Sequence, residues 1–69
     1  MTFGQVVKTI NSDWDWDLSG CSMDKSGNKY ERYYIKSGYG RRPTIPECLA
    51  IADYLGMVFK KGYFYKKII

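Results

Sequence analysis

Near the start of the chain, apolar side chains recur every three or four positions. They are Phe3, Val6, Val7 and Ile10, and the residues between them are polar or small. This spacing puts the apolar side chains on one side of a helix, where they can pack against a core. Thr2 is placed to cap the first turn with its hydroxyl group. The pattern therefore predicts a helix over residues 2–11.

A second helical pattern follows later in the chain and has stronger signals at its ends. Thr44 and Glu47 stand three residues apart, as in a capping box, and Pro46 suits a first helical turn. Gly56 suits the left-handed conformation in which many helices end. The apolar residues that share one face between these ends are Leu49, Ala52 and Leu55. We predict a helix over residues 45–55.

Two further segments have the patterns of strands. In residues 14–18, tryptophan and leucine alternate with aspartate, which is typical of an extended segment with both tryptophans on one face. Residues 57–68 combine β-forming residues with two lysine pairs. The dipeptide Lys61-Gly62 suits a tight turn, so this segment forms either a short terminal hairpin or a single edge strand.

The middle of the chain contains a strong turn signal. The sequence Asp24-Lys25-Ser26-Gly27-Asn28 is rich in residues that favour loops. It separates residues 18–23 from the tyrosine-rich residues 29–36. This arrangement predicts a β-hairpin with tyrosines on its second strand.

The segment that leads into and contains the second helix resembles a known family. Arg-Arg-Pro-Thr at 41–44 is followed by Leu49, by Ile-Ala-Asp at 51–53 and by Leu-Gly at 55–56 with an apolar residue after it. Over residues 37–57 this resembles the part of Cro/repressor-type, XRE-like helix-turn-helix domains that directly follows the recognition helix. The resemblance implies a small DNA-binding transcriptional regulator of the kind that bacteriophages and mobile elements carry.

The resemblance implies a second interpretation of the middle region. Residues 21–25 would end a helix, Gly27 would be the turn glycine, and residues 29–36 would be the recognition helix. Arg32 is an argument against this interpretation, because the family has a buried aliphatic residue at that position. Both interpretations remain open at the level of the sequence, and we prefer the hairpin. The predicted fold is α+β, a small single domain over residues 1–69, with either a β-hairpin or a degenerate helix-turn-helix in the middle.

Charge is distributed unevenly along the chain. Residues 1–24 have a net charge of −3 and residues 25–69 a net charge of +7. The chain also contains seven tyrosines, whose rings suit interfaces because they combine an apolar body with a polar tip. A basic, tyrosine-rich surface predicts a partner that is nucleic acid or an acidic protein surface.

Several functional classes lack the residues they need. The chain has no histidine and only two cysteines, Cys21 and Cys48, so we predict no metal site, no cofactor and no catalytic site. A chain of this size also buries too little surface for a large catalytic cleft. There is no apolar run of roughly 18–20 residues and no secretory signal pattern. We therefore expect a soluble cytoplasmic protein that is not an enzyme and does not span a membrane.

Three functions fit these observations. The first, favoured by the resemblance, is a regulator that binds double-stranded DNA, with a homodimer formed through the terminal segment 63–69. The second is a non-enzymatic protein inhibitor or antirepressor, similar in kind to anti-CRISPR proteins, that masks a partner's surface. The third is single-stranded nucleic-acid binding by tyrosines on a small sheet. The candidate binding residues are Lys29, Tyr30, Arg32, Lys36, Tyr39, Arg41 and Arg42.

Overall fold

The computed structural model describes residues 1–68, which form two helices and four strands. In chain order the elements are α1 Phe3–Ile10, β1 Asp15–Met23, β2 Lys29–Lys36, α2 Ile45–Leu55, β3 Val58–Lys60 and β4 Tyr63–Lys67. The strands make one antiparallel sheet in the order β1-β2-β4-β3. The prediction of a small α+β fold is confirmed.

Both helices begin at a capping box. Thr2 Oγ1 accepts a hydrogen bond from the Gln5 amide at 3.3 Å, and Gln5 Oε1 accepts one from the Thr2 amide at 2.8 Å. Thr44 and Glu47 make the same reciprocal pair at the start of α2, at 3.3 and 3.0 Å. The second helix ends at Gly56, whose φ of 68° is the left-handed conformation expected there. The predicted bounds of α2 are confirmed, and α1 lacks only the terminal residue at each end.

The middle of the chain is the predicted hairpin. The residues proposed as a recognition helix, 29–36, form β2 instead, and they pair with β1 from Lys29 opposite Met23 to Lys36 opposite Asp15. The helical alternative for this region is therefore wrong. Tyrosine-rich segments favour strands, and a helix here would also have put a charged side chain where the family buries an aliphatic one.

The loop between β1 and β2 explains why the chain reverses there. The Asp24 carboxylate accepts hydrogen bonds from the backbone amides of Ser26 and Asn28, both at 2.9 Å, and from the Asn28 side chain at 3.0 Å. Gly27 has a φ of 87°, a conformation that glycine adopts without strain. These contacts fix a turn at the position that the composition predicts.

The C-terminal segment is also a hairpin, which decides between the two predicted alternatives. Lys61 and Gly62 connect β3 to β4 and have φ values of 54° and 83°. Two successive positive φ values are typical of the tight turns whose twist matches that of paired strands.

The position of β4 excludes one geometry for the dimer contact predicted at residues 63–69, which otherwise stays a prediction. This strand lies between β2 and β3, so both of its edges are hydrogen-bonded within the chain. It is therefore not available for edge-to-edge pairing with a second copy. Ile69, the last residue of that predicted contact, lies outside the described residues.

The core lies between the two helices and one face of the sheet. Its fully buried large side chains are Trp14, Phe64, Ile51 and Val7. Phe3 from α1 contacts the rings of Tyr33 on β2 and Phe64 on β4, with ring centres 5.2 and 4.9 Å apart. Neither described helix is long and apolar enough to cross a membrane.

Candidate functional site

The two faces of the sheet carry different side chains. Tyr33 on β2 lies against Phe3, so its face is the one that the helices cover. Because side chains alternate along a strand, the opposite face of β2 carries Tyr30, Arg32, Tyr34 and Lys36. Within the described residues no helix lies over this second side. We call it the open face, and its main members are Tyr30, Arg32, Tyr34, Lys36, Lys60, Tyr63 and Tyr65.

Four tyrosines on the open face form two cross-strand pairs. Tyr30 and Tyr65 have ring centres 6.3 Å apart and planes at 87°. Tyr34 and Tyr63 have the same separation, with planes at 81°. Edge-to-face contacts of this kind are favourable for aromatic rings. All four side chains are half-buried, so part of each ring remains accessible on a face that no helix covers.

Cationic side chains lie between and beside the tyrosines. The Arg32 guanidinium carbon is 5.6 Å from the centre of the Tyr63 ring, and Lys60 Nζ is 5.5 Å from that of Tyr65. Lys36 Nζ lies 5.9 Å from the Tyr34 ring centre. Contacts of this type hold a cation over an aromatic face. The open face thus combines ring surfaces with positive charge over a short distance.

One of these cations has a carboxylate partner on the same face. Lys36 Nζ lies 3.1 Å from Asp17 Oδ2. The hydrogen bond with Lys36 lowers the pKa of Asp17, and the same contact raises the pKa of Lys36. Both groups are exposed, so the pair is screened by water and weak. A competing anion can therefore displace Asp17 from Lys36.

A bulge in β1 shapes the open face next to β2. The pairing register shifts between Leu18 and Gly20, which leaves Ser19 without a partner on β2. After the shift, Gly20 stands opposite Arg32, so no side chain from β1 covers the guanidinium there. Gly20 has a φ of 130°, which side-chain-bearing residues rarely adopt. The residue of β1 that is paired with Arg32 therefore has no side chain.

Tyr30 is held in place by the loop that follows β1. Its hydroxyl donates a hydrogen bond to Asp24 Oδ2 at 3.3 Å. Partial burial, reinforced by the Asp24 charge, raises the pKa of Tyr30. Tyr30 and Tyr65 also line a cleft of about 350 Å³ whose far wall includes Val58 and Lys60. This cleft continues the open face toward the β1–β2 loop.

The structure brings three of the seven predicted site residues together, since Tyr30, Arg32 and Lys36 share the open face. Lys29 begins β2 and lies on the opposite side by alternation. Tyr39 and Arg42 are exposed in the connection from β2 to α2 and lie in no strand. The predicted residues therefore divide between a sheet face and a loop.

The seventh, Arg41, is engaged within the fold. Its guanidinium nitrogens lie 2.6 and 3.1 Å from the two Glu47 carboxylate oxygens, and its carbon is 5.0 Å from the centre of a Trp14 ring. The Trp14 indole also donates a hydrogen bond to the Arg41 carbonyl. Arg41 is the main cause that lowers the pKa of Glu47 to about 2. The carboxylate of Glu47 thus occupies the start of α2 and pairs there with Arg41.

Sequence reasoning missed the members of the open face that come from the C-terminal hairpin. They are Lys60, Tyr63 and Tyr65. The alternation of Tyr63 and Tyr65 around the buried Phe64 is the signal that identifies them once the segment is treated as a strand. Their position beside β2, however, depends on a pairing between distant parts of the chain.

Comparisons of this chain with protein-family models, with curated proteins and with solved structures found no match. The resemblance of residues 37–57 to helix-turn-helix domains therefore stays a prediction.

Proposed function

We propose that this protein binds single-stranded nucleic acid on its open face. The observation that carries the proposal is the alternation of four tyrosines with cations on a sheet face that no described helix covers. Bases stack on aromatic rings whatever their sequence, and cations beside the rings attract the phosphates. Stacking of one base contributes about 1–3 kcal/mol.

The width of the sheet favours single strands over duplex DNA. Four strands spaced about 4.8 Å apart span about 14 Å between the outer two. The major groove of duplex DNA is about 12 Å wide and admits a helix or a two-stranded ribbon. The segment that was predicted to enter the groove as a helix is β2, in the interior of this sheet. A sheet face of this width suits bases that are already unstacked and exposed.

The test measures binding of fluorescently labelled oligonucleotides by fluorescence anisotropy at low salt. Single-stranded RNA, single-stranded DNA and a duplex of the same sequence are compared. We expect the single strands to bind more tightly than the duplex, and their affinity to fall as salt rises. Failure of every single strand to bind at low salt would contradict the proposal.

Substitutions on the open face locate the binding. Tyr34→Ala is expected to weaken binding roughly 5- to 150-fold, since it removes one stacking surface. Tyr34→Phe keeps the ring and is expected to retain most of the affinity. Tyr54→Ala is the matched control, because Tyr54 is exposed on α2, on the other side of the molecule. If Tyr34→Ala and Tyr54→Ala bind equally well, the open face is not the site.

A second candidate uses the same face to cover an acidic protein surface, as an inhibitor or antirepressor would. Tyrosine and arginine are enriched at protein interfaces, and β2 presents both on one side. The two candidates differ in their dependence on nucleic acid. A stoichiometric partner that stays bound to the wild-type protein after nuclease treatment, and is lost with Tyr34→Ala, supports this second candidate.

A further inference from the structure

Among the described residues, the guanidinium of Arg32 has no carboxylate partner. The ion pairs within residues 1–68 join Lys36 to Asp17 and Arg41 to Glu47. Arg32 Nε is buried and has no hydrogen-bond acceptor. Leaving a buried donor without an acceptor costs about 1–3 kcal/mol, and more when the donor is charged. Such a group in a folded protein calls for an explanation.

Although its Nε is buried, Arg32 as a whole is only half-buried, so part of its side chain is accessible on the open face. The first carbon of a side chain at Gly20 would lie 3.4 Å from Arg32 Nη2, an ordinary van der Waals distance, so the guanidinium lies directly beside this backbone position. The φ of 130° at Gly20 is one that residues with side chains rarely adopt, which favours glycine here. On the other side the guanidinium lies near the Tyr63 ring. Arg32 therefore lies half-buried in the middle of the open face, beside Gly20 and the Tyr63 ring.

Arg32 lies between the two tyrosine pairs. Tyr30 and Tyr34 each stand two residues from Arg32 on the same face of β2, which corresponds to about 7 Å on either side. A strand with bases stacked near both pairs would therefore pass directly over Arg32. Its guanidinium offers fixed donors in one plane, a geometry that matches two neighbouring acceptor atoms.

We infer that Arg32 is the anchoring contact of the open face and binds a pair of acceptor atoms of the nucleic acid. In a single strand, such a pair comes either from two oxygens of one phosphate or from O6 and N7 of a guanine. The inference rests on the proposed function and adds the residue that fixes the position of the bound strand.

The test compares two labelled probes and two variants by fluorescence anisotropy. The probes are a short oligouridine and the same oligouridine with one central guanosine. Arg32→Lys keeps the charge but removes the planar donor pair, and Arg42→Lys is the control at an exposed arginine outside the sheet. Circular dichroism melts check that the variants fold.

Each pattern of results has one meaning. If Arg32→Lys weakens both probes by about the same factor, roughly 5- to 150-fold, the partner is a phosphate. If the loss is confined to the guanosine probe, and 7-deazaguanosine produces the same loss with the wild-type protein, the partner is the base. If Arg32→Lys binds both probes as tightly as wild type, the inference is wrong, although the proposed function stands. If wild type binds neither probe, the proposed function itself fails.

A measurement without oligonucleotides examines the same site separately. The chain has three arginines, Arg32, Arg41 and Arg42, so their Nε–H groups give few signals in a nitrogen-15 correlation spectrum. Titration with inorganic pyrophosphate is expected to shift the Arg32 signal most, because Arg41 is held by Glu47. An Arg32 signal that moves no more than the Arg42 signal contradicts the inference for a phosphate partner, and the guanosine probe then decides whether the inference holds for a base.

Discussion

The two faces of the sheet are both rich in aromatic rings but differ in how the rings pack and in the charges beside them. On the covered face, Phe3, Phe59 and Phe64 pack with ring centres less than 5 Å apart at each contact, and no cation lies among them. On the open face every ring is a tyrosine, the pairs are 6.3 Å apart, and cations lie beside them. Ring content alone does not separate the two faces, and neither does a hydroxyl group, since Tyr33 on the covered face carries one. Three of the four cation–ring contacts within the described residues lie on the open face.

The same strand therefore carries both kinds of residue at consecutive positions. On β4, Phe64 is 1% exposed and lies in the core, whereas Tyr63 and Tyr65 on either side belong to the open face. This alternation allows the two roles to be separated by single substitutions one residue apart.

The largest expected effect is at Phe64. Phe64→Ala removes a ring from the core and is expected to lower the free energy of unfolding by about 3–5 kcal/mol. Small domains have total stabilities of about 5–15 kcal/mol, so a large fraction of this variant would unfold at moderate temperature. Thermal and denaturant melts followed by circular dichroism measure the loss.

Tyr65→Ala is the matched variant on the open face. It is expected to fold, since Tyr65 is only half-buried, and to bind single strands more weakly by roughly 5- to 150-fold. If Tyr65→Ala destabilises the fold as much as Phe64→Ala does, the proposed difference between the two faces is wrong. It is also wrong if Tyr65→Ala binds single strands as tightly as wild type.

The next effect concerns the tyrosine hydroxyl groups. Tyr33, on the covered face, donates to Glu31 Oε1 at 3.0 Å, and its pKa is raised mainly by burial and then by this contact. Tyr33→Phe is expected to lower the free energy of unfolding by about 0.5–1.5 kcal/mol. Tyr34→Phe, on the open face, is expected to cost less, because its hydroxyl makes none of the protein hydrogen bonds found within the described residues. Equal losses in urea melts would show that this difference between the faces is absent.

The elements of this fold follow from local signals, whereas the assembly of the open face does not. Thr44, Glu47 and Gly56 fix the ends of α2 through contacts within a few residues, and their types alone identify them. The loop at Asp24 is equally local. The helical alternative for β2 arose from a resemblance that begins after it, and Arg32 already argued against it.

The candidate site could be predicted only in part because it combines two hairpins. Tyr30, Arg32 and Lys36 follow from the alternation along β2 once it is known to be a strand. Tyr63 and Tyr65 join them through a pairing over about 30 residues of chain, which no local pattern specifies. Arg41 fits a phosphate site by type, but its contact with Glu47 depends on the path of the loop.

A smaller effect is expected from the acidic residue on the open face. Asp17→Asn releases Lys36 from its ion pair, so affinity for single strands should rise about 2- to 5-fold. The slope of the logarithm of affinity against the logarithm of salt concentration should also become more negative by about 0.7, as expected for one additional phosphate contact. Anisotropy titrations over a range of salt concentrations measure both quantities. Weaker binding by Asp17→Asn would mean that Lys36 needs its partner to be positioned.

The other ion pair, between Arg41 and Glu47, is expected to affect stability in acid and to leave binding unchanged. Contact with Arg41 is the largest cause that lowers the pKa of Glu47 from 4.5 to about 2 in the folded protein. A carboxyl group with a lowered folded pKa stabilises the fold fully above its unfolded pKa, and this contribution is lost as the pH falls through the folded value. Stability gained from Glu47 should thus disappear between about pH 4.5 and 2.

Glu47→Gln tests this expectation because it keeps the shape of the side chain and removes its titration. Melts recorded at a series of pH values should show a shallower decline between pH 4.5 and 2 for Glu47→Gln than for wild type. Asp17→Asn is the control. The carboxylate of Asp17 also has a lowered pKa, but Asp17 lies on the open face, so this variant should change binding as well. Anisotropy at neutral pH should give Glu47→Gln the wild-type affinity. A clear loss of affinity in Glu47→Gln would mean that the start of α2 contacts the bound strand. Binding would then not be confined to the open face.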